Sequence, residues 1–202
     1  MTARGRVRDH SRPGIGMRAP SYRNMSSRGE ITFPEQYAGK WVILFGHVED
    51  FIPINNAELF ELETINKEFS DNNCSIIALY EGDPRHLIEK YSVLKTVRSP
   101  IVKIQQSLSV TIVDDRSGDV ARRFGILNMP SESPDDMRIF YIIDPAGFIR
   151  TILVYHPESI KEHYKDILSV VIALKKSDTI VRDGDHDIAR PLRAFNRVAL
   201  SV

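Results

Sequence analysis

Short apolar runs alternate with segments of helical period along this chain, and that alternation most restricts what it can fold into. Lys40 to His47 (KWVILFGH) is short, apolar and led in by Gly39, as a buried strand is. Ser75 to Tyr80 (SIIALY), residues 110–113 (VTIV) and residues 138–143 (RIFYII) read the same way. Between the first two runs, residues 57–69 place Leu62, Ile65 and Phe69 at i, i+3 and i+7, one face of a helix that Asn55 or Asn56 is suited to cap. Pro84 to Val97 reads as a second helix, opened by its proline. Asp114-Asp115 reads as the cap of a helical turn running through Phe124. After the turn Asp144-Pro145-Ala146-Gly147, residues 148–155 return as a strand, making a hairpin with 138–143. In residues 158–174, Ile160, Tyr164, Ile167, Leu168, Val171 and Leu174 share one helical face. Residues 30–33 form a short strand that Pro34 ends. This order predicts an α/β chain: a central mixed sheet with helices on both faces. Residues 1–14 read as a tail, 15–176 as the folded domain, and 177–202, where the period is lost, as an extended C-terminal arm.

The hydrophobic fraction, 42% of 202 residues, is enough to fill a core and excludes wholesale disorder. No stretch approaches the roughly 18 apolar residues of a membrane span. The net charge of zero conceals an asymmetry. Arg4, Arg6, Arg8, Arg12, Arg18, Arg23 and Arg28 face one acid, Asp9, in residues 1–28, so a basic arm of +6 precedes a body of −6. Such an arm suits self-association or an acidic partner, a solvated terminus, or an organelle-targeting segment. Too few apolar positions lie in its first 14 residues for an amphipathic helix, and the expectation is a cytoplasmic protein with no nucleic-acid or membrane partner.

One cysteine, Cys74, excludes a disulfide within the chain, a Cys-x-x-Cys redox pair and a multi-cysteine zinc site. The histidines form no His-Glu-x-x-His, and His156 and His163 stand seven apart. Asp183-Gly184-Asp185-His186-Asp187 lacks the spacing and closing Glu of a calcium loop and reads as a solvated turn. There is no Gly-rich phosphate loop and no Gly-x-Ser-x-Gly elbow, so neither a metal nor a cofactor is expected.

Several segments together resemble the peroxiredoxins, the alkyl hydroperoxide reductase and thiol-specific antioxidant family. They are Ile15-Gly16-x-x-Ala19-Pro20, Gly39-Lys40-Trp41-Val42-Ile43-Leu44-Phe45, His47-x-x-Asp50-Phe51-x-Pro53, Glu58-Leu59, Asn73-Cys74, Asp114-Asp115, Arg138, Asp144-Pro145-x-Gly147 and Asp183-Gly184-Asp185. His47 and the long arm look most like the one-cysteine subgroup. The resemblance implies a thioredoxin-like fold and a homodimer or higher homo-oligomer.

The family's active loop reads Pro-x-x-x-Thr-x-x-Cys, with an arginine from a distant strand. The thiolate attacks the peroxide O–O bond, and a helix N-terminus beside arginine favours the thiolate. Anchored on Asp50, Phe51 and Glu58, the resemblance puts Val48 at the proline, Ile52 at the threonine and Asn55 at the cysteine; only Arg138 of the four remains. An amide is not a nucleophile toward peroxide, and Ile52 donates no hydrogen bond. A laboratory knockout would change the cysteine alone, so the triple loss reads as a family member without peroxidase activity.

Cys74 opens a strand, where the family often keeps a buried structural cysteine; burial would raise its pKa and leave it unreactive. His47 either hydrogen-bonds the loop backbone or lies at the pocket. Glu58 and Arg138 either keep a structural pairing or leave Arg138 to meet an anion. Three functions follow: a non-catalytic binding, scaffold or chaperone-like protein, with a protein partner; a thiol peroxidase working through Cys74 or another altered activity; and an anion or small-ligand sensor using Arg138.

Overall fold

A computed structural model describes residues 12–46, 65–86, 110–126, 138–155 and 160–184, with the side chains of the last segment described over 164–179. Seven strands form one sheet: β1 (Tyr22–Ser26), β2 (Gly29–Phe33), β3 (Trp41–Phe45), β4 (Cys74–Tyr80), β5 (Val110–Asp114), β6 (Arg138–Ile143) and β7 (Ile149–Tyr155). Their spatial order is β2-β1-β5-β4-β3-β6-β7. The three central strands β5, β4 and β3 are parallel, which requires crossovers rather than tight turns between them. The described helices are α1 (residues 65–71), α2 (Asp119–Arg123) and α3 (Ile160–Gly184).

The central strands have no polar face because both faces are covered. Along β3, Trp41, Ile43 and Phe45 join one cluster with Ile65, Phe69 and the buried face of α3; Val42 and Leu44 join the other, with Phe33, Phe124 and Tyr141. All five β3 residues are buried, and side chains of this kind contribute roughly 1.5–3 kcal/mol each when fully removed from water. Tyr164, Ile167, Leu168 and Val171 are the buried stripe of α3, as the helical spacing predicts.

Three expectations are corrected. The helix expected over 158–174 runs to Gly184, so residues 177–184, read as the start of an extended arm, continue it, and Asp183 is helical rather than part of a turn. The extension is held by polar contacts: Arg150 on β7 donates from both terminal nitrogens to Asp178 at 2.7 and 2.8 Å and stacks over the Trp41 ring at 5.7 Å. The end of the tail is docked, since Pro13 is buried, the Arg12 Nε donates to Tyr141 Oη at 3.2 Å, and the Gly16 N–H donates to the Ile149 carbonyl at 2.7 Å. The strand β1, absent from the sequence reading, joins β2 in a hairpin and meets β5 at Ser26 and Val113.

Of the Asp114-Asp115 pair, only Asp115 caps. Its carboxylate is buried and accepts the N–H groups of Val120 and Ala121 at 3.0 and 2.8 Å, while Asp114 pairs with Arg116 at 2.6 Å. Residues 84–86 are helical and Pro84 is buried; the rest of the helix expected there, like residues 57–64 of the earlier one, lies outside the described residues.

Candidate functional site

In open α/β sheets ligands gather beyond the carboxyl ends of the parallel strands. Here that edge holds the end of β3 at Phe45 and the ends of β4 and β5 at Tyr80 and Asp114. Strand β6 runs the other way, and its register pairs Phe45 with Phe140. Its first residue, Arg138, is thereby carried past the end of β3, to the edge where the segment bearing His47, Val48, Ile52, Asn55 and Glu58 departs. Arg138 is half-buried there. Those five residues lie outside the described residues. The ends of β4 and β5 carry two like turns, in which Arg85 pairs with Asp83 at 2.5 Å and Arg116 with Asp114 at 2.6 Å. Asp83 is held well below the usual carboxylate range by its hydrogen bonds with Arg85.

Cys74 is elsewhere. It is the first residue of β4, at the amino ends of the parallel strands, with Trp41 as its neighbour on β3. The chain reaches it through Asn73, whose φ of 54° is the left-handed conformation that asparagine tolerates. The Asn73 side chain secures that turn by donating to the Gly39 carbonyl at 2.9 Å. Cys74 is 4% exposed and packs in the cluster with Trp41, Phe69 and Val171. Lys175 on α3 donates to the Asn72 carbonyl at 2.6 Å, and its charge draws the thiol pKa down. Desolvation outweighs it: burial pushes the Cys74 thiol up to about 12. A thiol at that value is overwhelmingly protonated at neutral pH.

The structure thus brings Arg138 to the edge where the family's site is expected and sets Cys74 at the amino end of the central strands. Among the described residues no group of three or more His, Cys, Asp or Glu side chains is gathered to hold a metal, and no helix is long and apolar enough to cross a membrane. The sequence reading missed the cluster of Arg150, Trp41 and Asp178. No local pattern signals it, because Arg150 and Asp178 stand 28 residues apart in sequence.

A model of the AhpC/TSA family matches residues 15–152. A peroxiredoxin of Methanosarcina mazei is 33% identical over 168 residues, covering 82% of this chain and 75% of the relative. A peroxiredoxin of Thermotoga petrophila is 30% identical over 166 residues, covering 82% and 74%. Among solved structures, the yeast mitochondrial 1-Cys peroxiredoxin superposes with a TM-score of 0.64 at 22% identity, over 83% of this chain and 78% of its own. Mycobacterium tuberculosis AhpC gives 0.61 at 19% identity, over 86% and 99%. These likenesses bear out the thioredoxin-like α/β fold. The chain belongs to the AhpC/TSA family of peroxiredoxins, and its one cysteine, Cys74, lies inside the sheet.

Proposed function

We propose that this chain is a peroxiredoxin homologue that does not turn over peroxide and acts by binding, as a scaffold or chaperone-like protein assembled into a homodimer or larger homo-oligomer. One observation carries the reading: the sole cysteine is a buried strand residue whose thiol is held near pKa 12. The sequence supports it independently, because Val48, Ile52 and Asn55 fill the positions where the resemblance expects proline, threonine and the nucleophilic cysteine. The relatives' shared name, peroxiredoxin, points to the activity from which the chain has departed. A single cysteine that can form no internal disulfide suits a reducing, cytoplasmic setting.

The competing reading is peroxide reduction through Cys74. It predicts peroxide-dependent oxidation of Cys74 faster than that of a free thiol, abolished by Cys74→Ser. A peroxide-consumption assay with a thiol reductant, run on both proteins, separates the two. The binding reading expects equal background rates; turnover lost in Cys74→Ser would replace it with the enzymatic one.

A further inference from the structure

Cys74 is shut inside the sheet, but the chain also carries sulfur at its surface. Among the described residues the exposed methionines are Met17 and Met25, at 55% and 58%. They differ in what the side chain does. Met25 lies on β1 opposite Glu30. Met17 folds back over its own turn, where its Sδ accepts the Gly14 N–H at 3.2 Å. A Cβ on Gly14 would meet the same sulfur at 3.7 Å.

That turn is closed from both ends. The Met17 N–H donates to the Gly14 carbonyl at 3.2 Å, and Gly16, with a φ of 83°, supplies the left-handed corner between them. Beyond the turn the backbone is pinned to β7. The Ile149 N–H donates to the Met17 carbonyl at 2.9 Å, and the Gly16 N–H to the Ile149 carbonyl at 2.7 Å. Before the turn lie the buried Pro13 and Arg12, whose Nε donates to Tyr141 Oη at 3.2 Å. The sulfur therefore ties the Arg12–Pro13 lead-in to the segment held on β7.

A surface thioether is oxidised by hydroperoxides to the sulfoxide. A sulfur lone pair attacks one peroxide oxygen, the O–O bond breaks and the S–O bond forms. The departing hydroxide takes the proton of the transferred oxygen and leaves as water. An electron pair thus passes from sulfur to the peroxide. The Gly14 N–H occupies one sulfur lone pair and leaves the second for this attack. Oxidised sulfur carries a partial positive charge and no longer accepts an N–H; the acceptor becomes the new oxygen, one bond further out. Because the Met17 backbone is pinned, the oxidised side chain cannot keep its place without displacing Gly14.

We propose that Met17 is a peroxide-sensitive modification site, whose oxidation to the sulfoxide releases Gly14 and loosens the docked segment of residues 12–17. The step is stoichiometric and independent of whether the chain turns peroxide over through Cys74. It is tested by treating the full chain and Cys74→Ser with millimolar hydrogen peroxide. Peptide mass spectrometry follows the oxygen added at each methionine, and NMR follows the amide signals and their exchange with solvent. In both proteins Met17 is expected to oxidise at a rate comparable to Met25. The Gly14 and Gly16 amides are expected to shift in step with Met17 oxidation and not with Met25 oxidation. Exchange at Gly14 should quicken about threefold, the low end of what one hydrogen bond holds back, because sulfur is a weak acceptor. A methionine sulfoxide reductase with a thiol should reverse both changes. Met17→Leu keeps an apolar side chain at an exposed position and should leave the two glycine amides unresponsive to peroxide. Four results would each overturn the proposal: Met17 left unoxidised while Met25 reacts, an unchanged Gly14 exchange after Met17 oxidation, a glycine response that persists in Met17→Leu, or one that is lost in Cys74→Ser.

Discussion

Burial of Cys74 makes a quantitative claim about its chemistry. A thiol held near pKa 12 has about one molecule in 100,000 ionised at pH 7. An unfolded cysteine of pKa about 8.5 has about three in a hundred. Because the thiolate is the reacting species, native Cys74 should be alkylated by iodoacetamide roughly 3,000 times more slowly than in the urea-unfolded chain, before steric exclusion is counted. Mass spectrometry of timed aliquots measures both rates on the same single cysteine. The sign of the pH dependence follows from the same shift. The folded pKa lies above the unfolded one, so the buried thiol's contribution is complete below pH 8.5 or so and is lost as pH rises toward about 12. By pH 10 the loss is about 2 kcal/mol relative to neutral pH. The stability gap between the native chain and Cys74→Ala, from urea melts, should narrow by that amount between pH 7 and pH 10. A native alkylation rate within tenfold of the unfolded one, or a gap that does not change with pH, would refute the reasoning.

Three other perturbations test the architecture around the site. Asp115→Ala should cost about 1–3 kcal/mol in chemical melts, because it strands two N–H groups at the start of α2, whereas Asp115→Asn keeps an acceptor and should cost less. A double-mutant cycle on Arg150→Ala and Asp178→Ala should give a coupling of about 1–2 kcal/mol, with a change in fluorescence from Trp41, the chain's one tryptophan. If the proposed loss of activity is local, Val48→Pro, Ile52→Thr and Asn55→Cys together should confer peroxide-dependent thiol oxidation in a folded triple variant; no gain would mean the pocket has diverged beyond its loop.

The parts of the fold that were legible in the sequence are those where apolar burial alone decides the structure. Trp41 through Phe45 and Ile139 through Ile143 are buried at every position, and no polar residue interrupts their signal. Strand β1 was not legible because Tyr22 is its one buried residue. Arg23 and Met25 face solvent, and its place is set by pairing with β2 and β5 rather than by its own pattern. The end of α3 failed for a related reason. Past Leu174 the helix outruns the apolar cluster, and Asp178 is fixed by Arg150, which is 28 residues away in sequence. Asp115 and Asp114 look alike in the sequence, and only the tertiary position of α2 makes one a buried cap and the other an exposed turn's partner. Cys74 was legible as a buried strand residue because it opens an apolar run, and the structure adds the magnitude of its burial.

The central claim is that the buried thiol of Cys74 performs no peroxide chemistry. Stopped-flow measurement of hydrogen peroxide consumption at pH 7, with excess thiol reductant, tests it most directly when the native chain and Cys74→Ser are run side by side. The account predicts that the two traces superimpose on the protein-free control. Turnover by the native chain that disappears in Cys74→Ser would contradict it.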